Sequence, residues 1–256
     1  VYGVDTDVSP YDSGSYASST AYLTGMAVVK ACRNLREKIV NKAAQYLECS
    51  PDELEFDGRM VRRLGKEGSA DAAAQLREIS LKDIANRSMC FNEDALQVTV
   101  SHTSPVSPPP FMAGAAEVEV DTETGQVELL RFAAAVDCGT PLNINLTRVQ
   151  TEGGLAQGIG MALYEDVTYS ASGQVFENSL MQYKVPSRLD VGKIQVEFET
   201  SYEPTGPFGA KSIGEIVINT PSPAIANAVY HAVGVRIREL PITAEKVFWG
   251  MHGKRE

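Results

Sequence analysis

Gly206-Pro207-Phe208-Gly209-Ala210-Lys211-Ser212-Ile213-Gly214-Glu215 is the stretch on which the reading of this chain turns. Its glycines mark a tight turn, and the turn delivers a carboxylate straight into Ile216-Val217-Ile218. A glutamate among glycines and isoleucines is expected to be poorly solvated, and desolvation raises a carboxyl pKa. A raised pKa is what a general base working near neutrality requires. Two plainer readings fit the same residues: Glu215 caps the helix that follows, or it pairs with Lys211.

Outward from that turn, Ala224–Val233 is alanine-rich and predicts a helix, while Lys193–Thr200, Gln174–Phe176 and Val167–Tyr169 predict strands. Asn143–Leu163 predicts a helix, yet it carries glycines at 153, 154, 158 and 160. Each costs a helix about 1 kcal/mol against alanine. Such density implies close approach of a second backbone or of a ligand. Gln150-Thr151-Glu152-Gly153-Gly154-Leu155-Ala156-Gln157-Gly158-Ile159-Gly160 could offer amide donors between glycines, or could be a tightly packed helix pair. No Gly-Lys-Ser/Thr follows it, so a phosphate loop of the Walker type is a poor fit. Gly114–Val120 and Gln126–Val136 predict two strands joined by Asp121–Gly125. The run Ser104–Pro110 is proline punctuation, and a boundary is placed there.

Towards the N-terminus, Leu23, Met26, Val29, Cys32, Leu35, Ile39, Ala43 and Leu47 repeat at helical spacing across Ala21–Leu47. Cys32 lies on that stripe, which predicts a buried thiol. Before the helix stand Asp5-Thr6-Asp7 and Gly14-Ser15-Tyr16-Ala17-Ser18-Ser19-Thr20. Cap-type residues at a helix start serve ordinary capping or an anion cradle, and the sequence leaves both open. Residues 50–90 look like an insertion: strands Glu53–Phe56 and Met60–Arg63 around Asp57-Gly58, loose polar chain through Ala74, then a helix Ser80–Ser88 capped by Ser80. The class is α+β in two lobes, 1–104 with the loop and long helix, 105–256 with both glycine-rich motifs.

The bulk properties narrow the function. The chain has 256 residues, 33 acidic against 23 basic and a formal charge of −10, which argues against a nucleic-acid surface. No run reaches the roughly 18 apolar residues of a membrane span. The opening Val1 to Pro10 lacks an initiator Met and a signal-peptide pattern, so the chain is expected to be a soluble, cytoplasmic one that begins within something larger or is processed. Cys32, Cys49, Cys90 and Cys138 form no C-x-x-C pair, and His102, His231 and His252 are isolated, so a protein-ligated metal is not expected.

Asp5–Thr20, Gln150–Gly160 and Gly209–Glu215, in this order, resemble the molybdenum hydroxylase family of xanthine dehydrogenase and aldehyde oxidoreductase. The strand–turn–strand of Phe111–Asn145 with Val136-Asp137-Cys138-Gly139 is similar too, so the resemblance covers nearly the whole chain. It implies the fold of the family's second molybdenum-cofactor-binding domain, with mixed sheets and packed helices. It implies Glu215 as catalytic base, Gln150 as a hydrogen-bond partner of the cofactor, and Ala17 as the small residue beside the metal. Tyr16, Ser18, Ser19 and Thr20 would hold the pterin or its dinucleotide phosphates. The implied cofactor is molybdenum-molybdopterin, in the cytosine dinucleotide form, with 2Fe-2S and FAD on partner subunits or domains. The pterin, not protein side chains, would hold the metal.

There are two departures from the family pattern. Ile216 stands where many relatives have Pro. Ser19 stands where many have Arg, a variant that resembles the nicotinate and selenium-dependent purine hydroxylases. The implied function is hydroxylation of an electron-poor carbon of an N-heterocycle, with the upstream half of the molybdenum-binding subunit as partner and no activity for this chain by itself. The alternatives are an aldehyde or aromatic acyl-CoA oxidoreductase of the same family, or a non-catalytic structural subunit.

Overall fold

The computed structural model describes residues 5–7, 9, 11–12, 14–64, 77–90 and 94–253. It divides into two compact units: the described residues of Leu23–Thr103, and those of Val1–Tyr22 together with Ser104–Glu256. One junction falls between Thr103 and Ser104, and the described N-terminal loop residues group with the second half of the chain and not with the long helix. The α+β class stands, each unit having its own sheet, helices and core.

In the smaller unit, α1 (Gly25–Leu47) is preceded by a single π-turn, Thr20–Thr24. The meander β1 (Leu54–Phe56), β2 (Met60–Arg63) and β3 (Glu78–Ser80) is antiparallel throughout. Asp57 Oδ1 accepts from the N–H groups of Arg59 and Met60 at 2.8 Å each, which closes the hairpin turn. β3 is not predicted by the sequence reading; α2 (Leu81–Cys90) is, and Ser80 Oγ accepts from Asp83 N at 3.0 Å as its cap. The expected loose stretch through Ala74 falls for the most part outside the described residues. Ile39, Ala43, Leu47, Val61, Ile79 and Ile84 form the core. Only the second half of α1 reaches it, so Cys32, expected to be buried, is exposed.

In the larger unit β4 (Phe111–Val120) pairs antiparallel with β5 (Val127–Asp137), and β6 (Lys193–Phe198) adds parallel to β5. A parallel neighbour needs a long crossover, and α3 (Ile144–Leu163) with the irregular chain after it supplies one. The strands expected at Val167–Tyr169 and Gln174–Phe176 are not formed; one isolated bridge, Tyr169 to Val175, is all that joins them. After the turn come α4 (Ile216–Asn219), α5 (Pro221–Val233) and α6 (Ala244–His252). Burial alternates along β4, so the sheet has one inner face, and Phe132, Val136, Leu155, Ile159, Ile225 and Val229 pack beneath it.

Candidate cofactor site

The three motifs meet within the larger unit. Ala17 and Ser18 both take left-handed backbone angles, φ 47° and 56°, and this reverses the loop ahead of the π-turn. The reversal sends the Ser18 hydroxyl to the far end of the 206–215 turn, where Glu215 N–H donates to Ser18 Oγ at 2.6 Å. A Cβ on Gly214 would come within 3.1 Å of that same oxygen, so the loop packs closely on the residue before Glu215. Nearby, Thr20 Oγ1 donates to Ser15 Oγ at 2.8 Å. The hydroxyls expected to cap the long helix are therefore engaged elsewhere, and α1 starts at Gly25 without a side-chain cap.

Tyr22 makes a second link that the sequence reading misses. Its ring is buried, and its hydroxyl is hydrogen-bonded to Ser104 Oγ at 2.8 Å and Thr205 Oγ1 at 2.6 Å. Thr205 leads into the glycine-rich turn and bonds in turn to Glu203, whose carboxyl it helps to hold below its ordinary pKa. A buried tyrosine needs a partner for its hydroxyl; the sequence carries that signal and no more.

α3 is brought against α4 by its glycines. A Cβ on Gly154 would collide with the Val217 side chain, and one on Gly158 with Pro221 and the Ile218 carbonyl. Gly153 differs, since a Cβ there meets nothing within 4 Å. Of the two readings left open for this segment, close packing accounts for Gly154 and Gly158, while Gly153 and the exposed Gln150 lie on an open face.

The individual residues stand as follows. Tyr16 is 58% exposed, Ala17, Thr20, Gln150 and Glu215 are exposed, and Ser18 and Ser19 are half-buried. The poor solvation expected of Glu215 is not provided by this chain. The apolar neighbours serve the core instead, Val217 under Gly154 and Ile213 against the main cluster, and the carboxylate faces outward. Neither plain alternative holds. Glu215 occupies the N-cap position of α4 without a side-chain cap bond, and Lys211 pairs with Asp137 at 2.7 Å. Among the described residues nothing bonds the Glu215 carboxylate.

A loop rich in hydroxyls and the exposed Gln150 amide can donate and accept, the unpaired Glu215 carboxylate accepts, and Ala17 is small; these residues suit an oxygen- and nitrogen-rich organic cofactor. Among the described residues no three His, Cys, Asp or Glu side chains gather to hold a metal directly.

Comparison with known proteins gives the class. Residues 1–192 match the molybdopterin cofactor-binding domain family, and the chain belongs to it. Within that class it is a domain of the molybdenum hydroxylases, the oxidoreductases of xanthine dehydrogenase and CO dehydrogenase type. It is 37% identical over 248 residues to the probable hypoxanthine oxidase XdhD of Escherichia coli K12, covering 95% of this chain and 25% of that one. Its fold is similar to CO dehydrogenase from Oligotropha carboxidovorans (TM-score 0.79, 27% identity, 96% of this chain and 30% of that one). Quinoline 2-oxidoreductase from Pseudomonas putida 86 is also similar, with TM-score 0.75 and 26% identity over 97% of this chain and 32% of that one. The chain thus spans between a quarter and a third of the length of these relatives.

Proposed function

We propose that this chain supplies the general base and part of the cofactor cradle to a molybdenum hydroxylase acting on an N-heterocycle of purine or nicotinate type. One observation carries it: the 2.6 Å hydrogen bond from Glu215 N–H to Ser18 Oγ, which joins the hydroxyl-rich loop to the backbone of the exposed carboxylate. When bound, the molybdenum-pterin cofactor supplies two-electron oxidation. The residues of this chain do the rest: Glu215 accepts a proton, and Gln150 donates its amide to the cofactor. Ala17 leaves room for close approach, and Tyr16, Ser18, Ser19 and Thr20 line the side where a pterin or its cytosine dinucleotide phosphates would lie. The N-heterocyclic substrate is supported by the names of two relatives, a hypoxanthine oxidase and a quinoline oxidoreductase. The 2Fe-2S and FAD groups that would receive the electrons belong, on this reading, to partner subunits or domains. The remaining pterin contacts come from the other part of the molybdenum-binding subunit.

The test is Glu215→Gln in the assembled enzyme. Glutamine is nearly isosteric and still hydrogen-bonds a heterocycle, but it takes no proton. Loss of a general base costs on the order of 10²–10⁴-fold in rate. Single-turnover reduction of the metal centre by hypoxanthine or nicotinate, at matched molybdenum content, is expected to fall by that order. A rate within about threefold of wild type would remove Glu215 from the role.

A further inference from the structure

The middle of the 206–215 turn is fixed by a residue to which the function above gives no part. Lys211 is only 8% exposed, and its Nζ donates to Asp137 Oδ2 at 2.7 Å. Asp137 ends β5, and its other oxygen accepts from Ser201 Oγ at 2.6 Å and from Gly139 N–H at 2.9 Å. Burial alone would raise the Asp137 pKa, but the Lys211, Ser201 and Gly139 hydrogen bonds prevail and hold it below the ordinary carboxyl value. The main chains are joined as well: Lys211 N–H donates to Cys138 O and Thr140 N–H to Gly209 O, both at 2.8 Å. The approach is close enough that a Cβ on Gly139 would run into the Gly209 carbonyl and, at 2.8 Å, the Lys211 nitrogen. The face of the Phe111 ring lies 5.3 Å from the ammonium.

A lysine this buried is uncommon. If the turn needed only to be held down, an apolar pair of similar volume would do as well or better, because a buried ion pair carries a large desolvation cost. What the pair adds is a single geometry, set by three donors on one carboxylate. It also commits the turn's cation to Asp137, so that the Glu215 carboxylate stays unpaired. We propose that Lys211 and Asp137 are positioning residues for Glu215. They anchor the middle of the turn to β5, Ser18 anchors its end at Glu215 N–H, and these two points fix the backbone from which the carboxylate projects. This rests on the reading of Glu215 as the base, and the test keeps the two apart.

The full-length protein is compared as wild type, Lys211→Met, the apolar double variant Lys211→Met/Asp137→Leu, and Glu215→Gln. Amide hydrogen exchange is followed in peptides spanning 210–217, together with thermal midpoint, kcat and KM on hypoxanthine or nicotinate. Lys211→Met is expected to speed exchange in those peptides, and to lower kcat with KM little changed, each by about tenfold or more. The double variant removes the buried charge but leaves Gly139 N–H and Ser201 Oγ without their acceptor. It is therefore expected to recover only part of the thermal midpoint lost in Lys211→Met, and to keep the fast exchange and the low kcat. A double variant with wild-type exchange and kcat would make the pair a fold element only and overturn the proposal. Full turnover in Glu215→Gln would sink the base assignment alone, and the exchange comparison would then decide on the anchoring by itself.

Discussion

Ala17 and Ser18 hold left-handed backbone angles that cost an L residue roughly 1–2 kcal/mol each. That cost is met in a loop whose hydroxyl lands on Glu215 N–H, and strain kept beside a candidate site is a reason to test it. Ala17 is exposed, so Ala17→Trp adds a ring without entering the core. Its thermal midpoint is expected to match wild type, while activity of the assembled enzyme is lost because the ring takes the space of the cofactor; full activity would remove Ala17 from the site. Asp137 gives a pH prediction. Its folded pKa is depressed, so its stabilising contribution is complete above its unfolded pKa and is lost as pH falls through the lower folded value. The gap in stability between wild type and Asp137→Asn should be constant from about pH 5 to 8 and shrink below about pH 4. Unfolding midpoints measured across that range check it, and a gap that widens in acid would contradict it. At this scale the sequence singled out Glu215 and Gln150 as candidates by type and spacing. It overstated the burial of Glu215, because which of Ile213, Glu215 and Val217 turns inward depends on what packs against the turn.

At the scale of the element, the two adjacent glycines of α3 should respond in opposite directions. Gly154→Ala forces a methyl into Val217, and overpacking of this kind costs about 1–3 kcal/mol. Gly153→Ala meets nothing within 4 Å and should gain up to about 1 kcal/mol from helix propensity. Thermal midpoints of the two variants of the 256-residue chain are the measurement; equal shifts would mean that α3 does not pack on α4 as described. The sequence predicts that glycines in this helix serve an approach. It does not say which, because the rotation of the helix about its axis follows from its tertiary neighbours. The same limit explains the strands expected at 167–176. A strand needs a partner edge, and here only Tyr169 and Val175 bridge.

The larger question is what the chain does by itself. It covers 25% of XdhD and 30% of the CO dehydrogenase chain, and Tyr16, Ala17, Thr20, Gln150 and Glu215 are all exposed. If these residues form the proposed cradle, it is open on many sides and is expected to hold a cofactor weakly, since affinity rests on contacts that enclose the ligand. The purified 256-residue chain is therefore expected to carry molybdenum far below one atom per chain, read by elemental analysis; stoichiometric metal would contradict this. Among the described residues no helix is long and apolar enough to cross a membrane.

The sequence by itself determined the class, the α+β composition and most element positions, because motif spacing and hydrophobic period are local properties of the chain. Tertiary structure alone decided the rest. It grouped the N-terminal loop with the second half of the chain, joined Ser18 to Glu215 across nearly the full sequence, and gave Lys211 to Asp137 instead of to the glutamate. Each of these depends on which surfaces meet when β5, the loop and the turn pack together. No window of sequence contains that information, because the partners lie 74 and 197 residues apart.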